Sequence, residues 1–160
     1  SSTNNVQSML FWLMGDLSQS TVGLKHSLLL LVALLGGLYV SRSLNVLARG
    51  ELVATSLGVN IDALRLLLYF AASIFTATAV TIAGSVGFVG LVIPHALRML
   101  GARDHRILLP YSILLGGSFL VIADSLARTL IAPQQLPVGV VTAIIGVPSF
   151  IIILRSTITK

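Results

Sequence analysis

No cysteine occurs anywhere in the chain, which excludes disulfides, thiolate nucleophiles and cysteine-bound metals and leaves the redox compartment unread. Acids are almost as scarce, with five Asp and Glu set against ten Lys and Arg in 160 residues. Charged residues of either sign make up only 9% of the sequence while hydrophobic ones reach 56%, and the mean hydropathy is +1.00. A water-soluble domain has no use for that much apolar side chain in one core, so lipid must face much of this surface. The formal charge of +5 does not point to nucleic acid, because the cations are scattered between long uncharged runs and form no stripe. Cationic loops of a membrane protein account for them. The polar start Ser1-Ser2-Thr3-Asn4-Asn5 carries no initiator Met and no basic segment ahead of an apolar run, which argues against a signal peptide and for a truncated or processed chain.

Apolar periodicity predicts an all-α chain. Val6 to Leu17 places Val6, Met9, Leu10, Leu13 and Leu17 at helical spacing, with Asn4 or Asn5 available as N-cap and Gly15 as breaker. The segment is too short to span a bilayer and, with Phe11 and Trp12, suits an interfacial helix; residues 1–23 are expected as a periplasmic helix and loop. A first span is expected from Leu24 to about Leu47. From Leu66 to Leu97 no charged residue appears, and as one helix that run would measure roughly 48 Å against a hydrocarbon core of about 30 Å. It should therefore reverse, with Gly84, Gly87 and Gly90 supplying backbone freedom and Pro94 a kink in the returning arm. Further spans are expected over about Ile107–Ile131 and about Val138–Leu154, separated by a turn between Pro133 and Pro137, the last interrupted by Gly146 and Pro148.

Charge placement tests the reversal. With it, Arg42, Arg49, Arg65, Arg98, Arg103, Arg106, Arg155 and Lys160 share one face and only Lys25 and Arg128 lie opposite, a clean positive-inside pattern. Without it the bias vanishes. The expectation is thus a polytopic transmembrane bundle over residues 24–160 with about five spanning helices, the N-terminal helix outside and the C-terminus cytoplasmic.

Small residues recur four apart, Ala33 with Gly37, Ser112 with Gly116 and Gly139 with Ala143, which allows helix backbones to approach closely in lipid. Packing and a pore-lining surface both remain open. In the polar stretch at about 48–62, Glu51, Ala54 and Gly58 fall at i, i+3 and i+7, so a short helix would turn an acid and two small residues toward a partner's groove, with Leu52 and Leu57 adding apolar contact. A solvated loop is the alternative. Asp124 and Arg128, four apart near the end of a span, form a local ion pair or else offer Arg128 to an acidic group on another protein. His95 has no second His or acid at metal-ligand spacing. The Gly84–Gly90 stretch lacks the Lys-Ser or Lys-Thr of a phosphate loop, and no nucleophile finds a base, so a catalytically inert chain is expected.

Four ordered motifs carry a resemblance. They are Gly87-Phe88-Val89-Gly90-Leu91-Val92-Ile93-Pro94-His95-Ala96-Leu97-Arg98, Asp104-His105-Arg106-Ile107-Leu108-Leu109-Pro110, Ala123-Asp124-Ser125-Leu126-Ala127-Arg128, and Leu136-Pro137-Val138-Gly139 continuing through Thr142, Ala143 and Gly146. The chain resembles the permease subunits of type II ABC importers for iron-siderophores, haem and cobalamin, over the second half of that family's ten-helix subunit. The resemblance implies a bacterial inner-membrane protein that works by alternating access beside a second permease subunit, a periplasmic substrate-binding protein and an ABC ATPase subunit. It implies no cofactor in this chain, since ATP and Mg belong to the ATPase. By the same likeness Arg49, Gly50, Glu51, Ala54, Leu57 and Gly58 would dock on the ATPase, and Arg128, oriented by Asp124, would meet acids on the binding protein. Gly87, Gly90, Pro94, His95, Pro137, Gly139, Ala143 and Gly146 would line the pathway or pack its helices. Gln135 departs from the Glu that the family commonly has there. A fragment of an ion-coupled secondary transporter, with Asp124, Arg128 and His95 as a relay, and a non-transporting membrane scaffold are the competing readings.

Overall fold

The computed structural model describes residues 2–15, 17, 23–129 and 136–158. Pro133, Gln135, Lys160, the rest of the 16–22 linker and the Phe11 and Trp12 side chains lie outside the described residues. Seven helices follow in order: α1 (Ser2–Leu13), α2 (Leu24–Leu47), α3 (Glu51–Ser56), α4 (Ile61–Ala83), α5 (Val89–Met99), α6 (His105–Thr129) and α7 (Val138–Ile158). Together they form a polytopic helical bundle. Four of them, α2, α4, α6 and α7, are long and apolar enough to cross a membrane.

Local chemistry explains most boundaries. The Asn60 side chain accepts the Ala63 N–H at 3.0 Å and so caps α4, whose first turn also holds Asp62 against the positive end of the helix. α1 ends ahead of Gly15, which takes φ +91, a left-handed backbone that glycine alone adopts without cost. α1 begins at Ser2, so Asn4 and Asn5 sit within the helix and do not cap it.

The long uncharged run does reverse, between Ala83 and Val89, and of the three glycines expected there only Gly84 takes a positive φ. Gly84 takes φ +70, whereas the second left-handed residue is Phe88 at φ +67; Gly87 keeps an ordinary φ and Gly90 already lies in the first turn of α5. The returning helix is also short: α5 has 11 residues, about 16 Å of helix, or roughly half the hydrocarbon thickness. Pro94 is accommodated within α5, where the carbonyl it leaves without a donor is that of Gly90 in the first turn. Likewise Gly146 and Pro148 do not interrupt the last span, because α7 runs unbroken from Val138 to Ile158.

α6 is the hub, packed against α2, α5 and α7. Ile93, Leu97 and Leu108 form one buried cluster between α5 and α6, and Ala123, Ala127, Val138 and Val141 form another between α6 and α7. Lipid tails are as apolar as these side chains, so shape-matched dispersion contacts hold the helices together and exclusion from water does not. α4 differs: it touches α2 and α3, and none of its membrane window is buried within this chain.

Antiparallel packing sorts the charges. The Asn45 side chain, at the C-terminal end of α2, touches Asp104 and His105 at the start of α6, so Arg42, Arg49, Arg98, Arg103 and Arg106 gather at one end of the bundle. Arg65 in the first turns of α4 and Arg155 in the last turn of α7 belong to the same end. Lys25, in the first turn of α2, and Arg128, in the last turn of α6, lie at the other.

Candidate functional site

The segment joining α2 to α4 is built around two glycines. Gly50 (φ +119) and Gly58 (φ +82) flank α3, and a Cβ at either would meet nothing within 4 Å, so backbone conformation and not crowding requires them. Gly58 ends α3 in a Schellman motif: the Gly58 N–H donates to the Thr55 carbonyl and the Val59 N–H to the Ala54 carbonyl, each at 3.0 Å. The same motif at Gly101 (φ +98) closes α5, through the Gly101 N–H to Arg98 and the Ala102 N–H to Leu97.

Orientation of α3 differs from the expected one. Ala54 is fully buried within the chain, so the small residue turns inward, while the Glu51 side chain stays 61% exposed and forms an ion pair with Arg65 on α4. A six-residue helix tethered by short turns at both ends must rest one side on its neighbours, and Ala54 is the side chain small enough for that contact. The outward surface is Leu52 (88% exposed), Val53 and Leu57, apolar side chains turned away from the bundle. Arg49 stands exposed at the entrance to the segment.

Near this segment the first residues of the Asp104–Pro110 motif join a polar cluster through Asn45, which the sequence did not single out. The Asn45 Oδ1 accepts the backbone N–H of His105 at 2.9 Å and lies 2.7 Å from its Nδ1, while the Asn45 amide donates to Asp104 Oδ1 at 2.6 Å. Asp104 also caps α6, its Oδ1 accepting the Arg106 N–H at 2.9 Å. A backbone N–H can only donate, so the atom facing it is the Asn45 oxygen and His105 Nδ1 carries the proton of that contact. The Arg106 N–H, and then the Asn45 amide, hold the Asp104 carboxyl below its ordinary value of 3.8. A signal was present in the sequence: Ala33, Gly37, Ser41 and Asn45 continue one four-residue stripe along α2. Gly37 brings the α2 backbone against Leu109, 3.2 Å from where a Cβ would stand, and Ser41 is buried with its hydroxyl on the Leu38 carbonyl.

At the opposite end, Arg128 Nε donates to Asp124 Oδ2 at 2.8 Å within the last turns of α6. The local ion pair is therefore formed, with the guanidinium side chain 40% exposed. Nearby, three stretches of backbone converge. Val138 N–H donates to the Gly15 carbonyl at 3.0 Å, and a Cβ on Gly139 would land on the Met14 carbonyl and 2.7 Å from the Ser85 carbonyl. One helical face further along α7, a Cβ on Gly146 would stand 2.5 Å from Phe88 Cβ. The close-approach pair on α7 is thus Gly139 with Gly146, seven apart, more than Gly139 with Ala143. Pro137 immediately precedes α7 and is buried, and His95 is half-buried on α5 beside Pro94. Gly87 stands in open space.

Among known proteins, the chain is 43% identical over 156 residues to the cobalamin import system permease protein BtuC of Halobacterium salinarum, covering 96% of this chain and 42% of that protein. It is 45% identical over 148 residues to the hemin transport system permease protein HmuU of Yersinia pestis, covering 90% of this chain and 44% of that protein. A solved structure of an ABC transporter, assigned to the metal-chelate type and in an inward-facing conformation, superposes with a TM-score of 0.86 at 35% identity, over 98% of this chain and 51% of that one. The chain spans about half the length of the relatives it matches. Such relatives are membrane subunits of transporters, and with residues 1–156 matching the family model, the chain belongs to the FecCD transport family.

Proposed function

We propose that this chain is the C-terminal half of the permease subunit of an ATP-driven importer that moves iron-siderophore, haem or cobalamin across the bacterial inner membrane by alternating access. The observation that carries the reading is α3, a short helix hung between two left-handed glycines, seated on the bundle through Ala54, braced at its surface by the Glu51–Arg65 pair, and presenting Leu52 and Leu57 outward. Residues 48–62, with Arg49, Gly50, Glu51, Ala54, Leu57 and Gly58, seat on a separate ABC ATPase subunit that holds ATP and Mg. Ala54 acts from beneath by fixing the tilt of α3, and the apolar side chains make the contact. The arginine-rich end of the bundle is cytoplasmic, which the one-sided cations support. On that orientation the C-terminus is cytoplasmic, residues 1–23 are periplasmic, and Arg128, steered by Asp124, meets acids on a substrate-binding protein. A second permease subunit completes the pathway, with Gly87, Gly90, Pro94, His95, Pro137, Gly139, Ala143 and Gly146 on or behind its wall. Coupling needs a docking free energy that differs between two states of the permease, and a docking helix rigidly tied to the bundle meets that requirement.

Reconstitution of the full-length permease with its ATPase and binding protein tests the reading. Uptake of the chelate should require ATP and should fall with Leu52→Asp and with Arg128→Glu. Uptake driven by an ion gradient without ATP would replace this reading with an ion-coupled transporter, and uptake indifferent to both substitutions would refute the assigned contacts.

A further inference from the structure

The coupling segment leaves α2 three residues after Asn45, and Asn45 is bonded to the first turn of α6, 60 positions away. One side chain makes three contacts there: an oxygen on the His105 N–H and Nδ1, and an amide on the Asp104 carboxylate. The first two N–H groups of α6 are thereby satisfied from outside the helix, His105 by Asn45 and Arg106 by Asp104. Above this cluster α2 and α6 run in close contact through Gly37 and Leu109. Below it α3 is braced on α4 by the Glu51–Arg65 pair. A push on α3 therefore reaches α6, the hub of the bundle, by way of Asn45.

We propose that Asn45 is a positioning residue that clamps the end of α2 to the start of α6, so that displacement of the coupling segment moves the two helices as one body. The proposal rests on the coupling role given above to residues 48–62. Its chemistry is a donor and acceptor pattern, and a pattern can be inverted. Asn45→Asp sets a second carboxylate against Asp104 and loses the amide donor. Adding Asp104→Asn removes the like charge and returns a donor: the new carboxylate at position 45 accepts from His105 and from the new amide at position 104, although the Arg106 N–H, which shares Asp104 Oδ1 with the Asn45 amide, then loses its cap.

Two readouts on the full-length permease, assembled with its ATPase and binding protein in lipid, separate clamping from mere stability. The first is substrate moved per ATP hydrolysed, a ratio that does not change when fewer molecules fold. N45D and N45A should each lower it about tenfold, the scale of losing a hydrogen bond to a charged group, and N45D/D104N should recover in part, because the pairing between the helices returns while the Arg106 cap does not. The second is the distance distribution between spin labels on Ala48→Cys and Arg103→Cys, both exposed positions, in a permease whose cysteines outside these residues, themselves free of cysteine, are replaced. It should be narrow in the parent, broad in N45D and narrower again in N45D/D104N than in N45D. A ratio and distribution unchanged in N45D and N45A, or a double substitution that restores neither, would overturn the clamp. Parent protein whose uptake ignores ATP, but whose label distances follow the expected pattern, would leave the clamp standing and remove the coupling role beneath it.

Discussion

Replacing Gly146 by alanine probes the tightest helix contact in which a side chain, not a carbonyl, is the obstacle. The added methyl would stand 2.5 Å from Phe88 Cβ and 3.0 Å from its Cγ, where apolar carbons ordinarily settle at about 3.5–4.0 Å. Phe88 cannot easily withdraw, because it is the non-glycine residue held in the left-handed region at φ +67, a conformation that costs roughly 1–2 kcal/mol and is retained by its surroundings. Overpacking of this kind costs about 1–3 kcal/mol, and alanine returns about 0.5–1 kcal/mol of helix preference. The net expectation is a loss of about 1–2 kcal/mol, a factor of roughly 5–30 in the folded ratio. Gly117→Ala is the control: it sits in α6 with nothing within 4 Å of its Cβ position, so it keeps the helix gain without the collision. The assay is unfolding of the lipid-embedded protein by heat or by SDS titration for G146A, G117A, F88G and F88G/G146A. In the F88G background the alanine should cost less than about 0.5 kcal/mol, the limit within which independent sites add. G146A as stable as G117A, or an equal cost in both backgrounds, would refute the assignment of Gly146 to the Phe88 contact.

Further outcomes follow from the same geometry. Gly139→Ala should be worse than Gly146→Ala in the same unfolding assay, at or above about 3 kcal/mol, because its obstacles are the carbonyls of Met14 and Ser85, which have no rotamers. Glu51→Arg should reduce ATP-dependent uptake, and Glu51→Arg with Arg65→Glu should restore it; the pair is about half exposed, so the melting temperature should hardly change with a contribution under about 1 kcal/mol. Asp104 is held below its ordinary value of 3.8 by hydrogen bonds to the ionised form, so its contribution is complete above that pH and fades as pH falls through 3.8 and then through the lowered folded value. An acid titration of stability should show that limb, and Asp104→Asn should flatten it.

The parts of this fold that obey local rules could be read without coordinates. α2 lies between the residues expected, Gly15 and Asn60 punctuate as their types require, and the uncharged run turns back because no single helix of that length fits a bilayer. What escaped depends on partners distant in sequence. Phe88 takes a glycine's conformation because Gly146, 58 residues later, leaves space for its side chain, while Gly87 beside it keeps an ordinary φ. Spacing cannot tell an outward face of α3 from an inward one: Ala54 is buried, while Glu51 stays exposed and pairs with Arg65. Asn45 ends a stripe of small residues that was recognised only as far as Gly37, since an amide does not look like a packing residue until its acceptor and donors are in view.

The bond from the Val138 N–H to the Gly15 carbonyl joins the two ends of the described chain. Because a polypeptide emerges from its N-terminus, Gly15 is synthesised long before Val138 exists, and the cradle formed by Met14, Gly15 and Ser85 has to wait for α7. Closure by such a long loop is slow relative to local helix formation. This contact is consequently closed late, at the end of the bundle remote from α3, and α7 serves as the key that locks it.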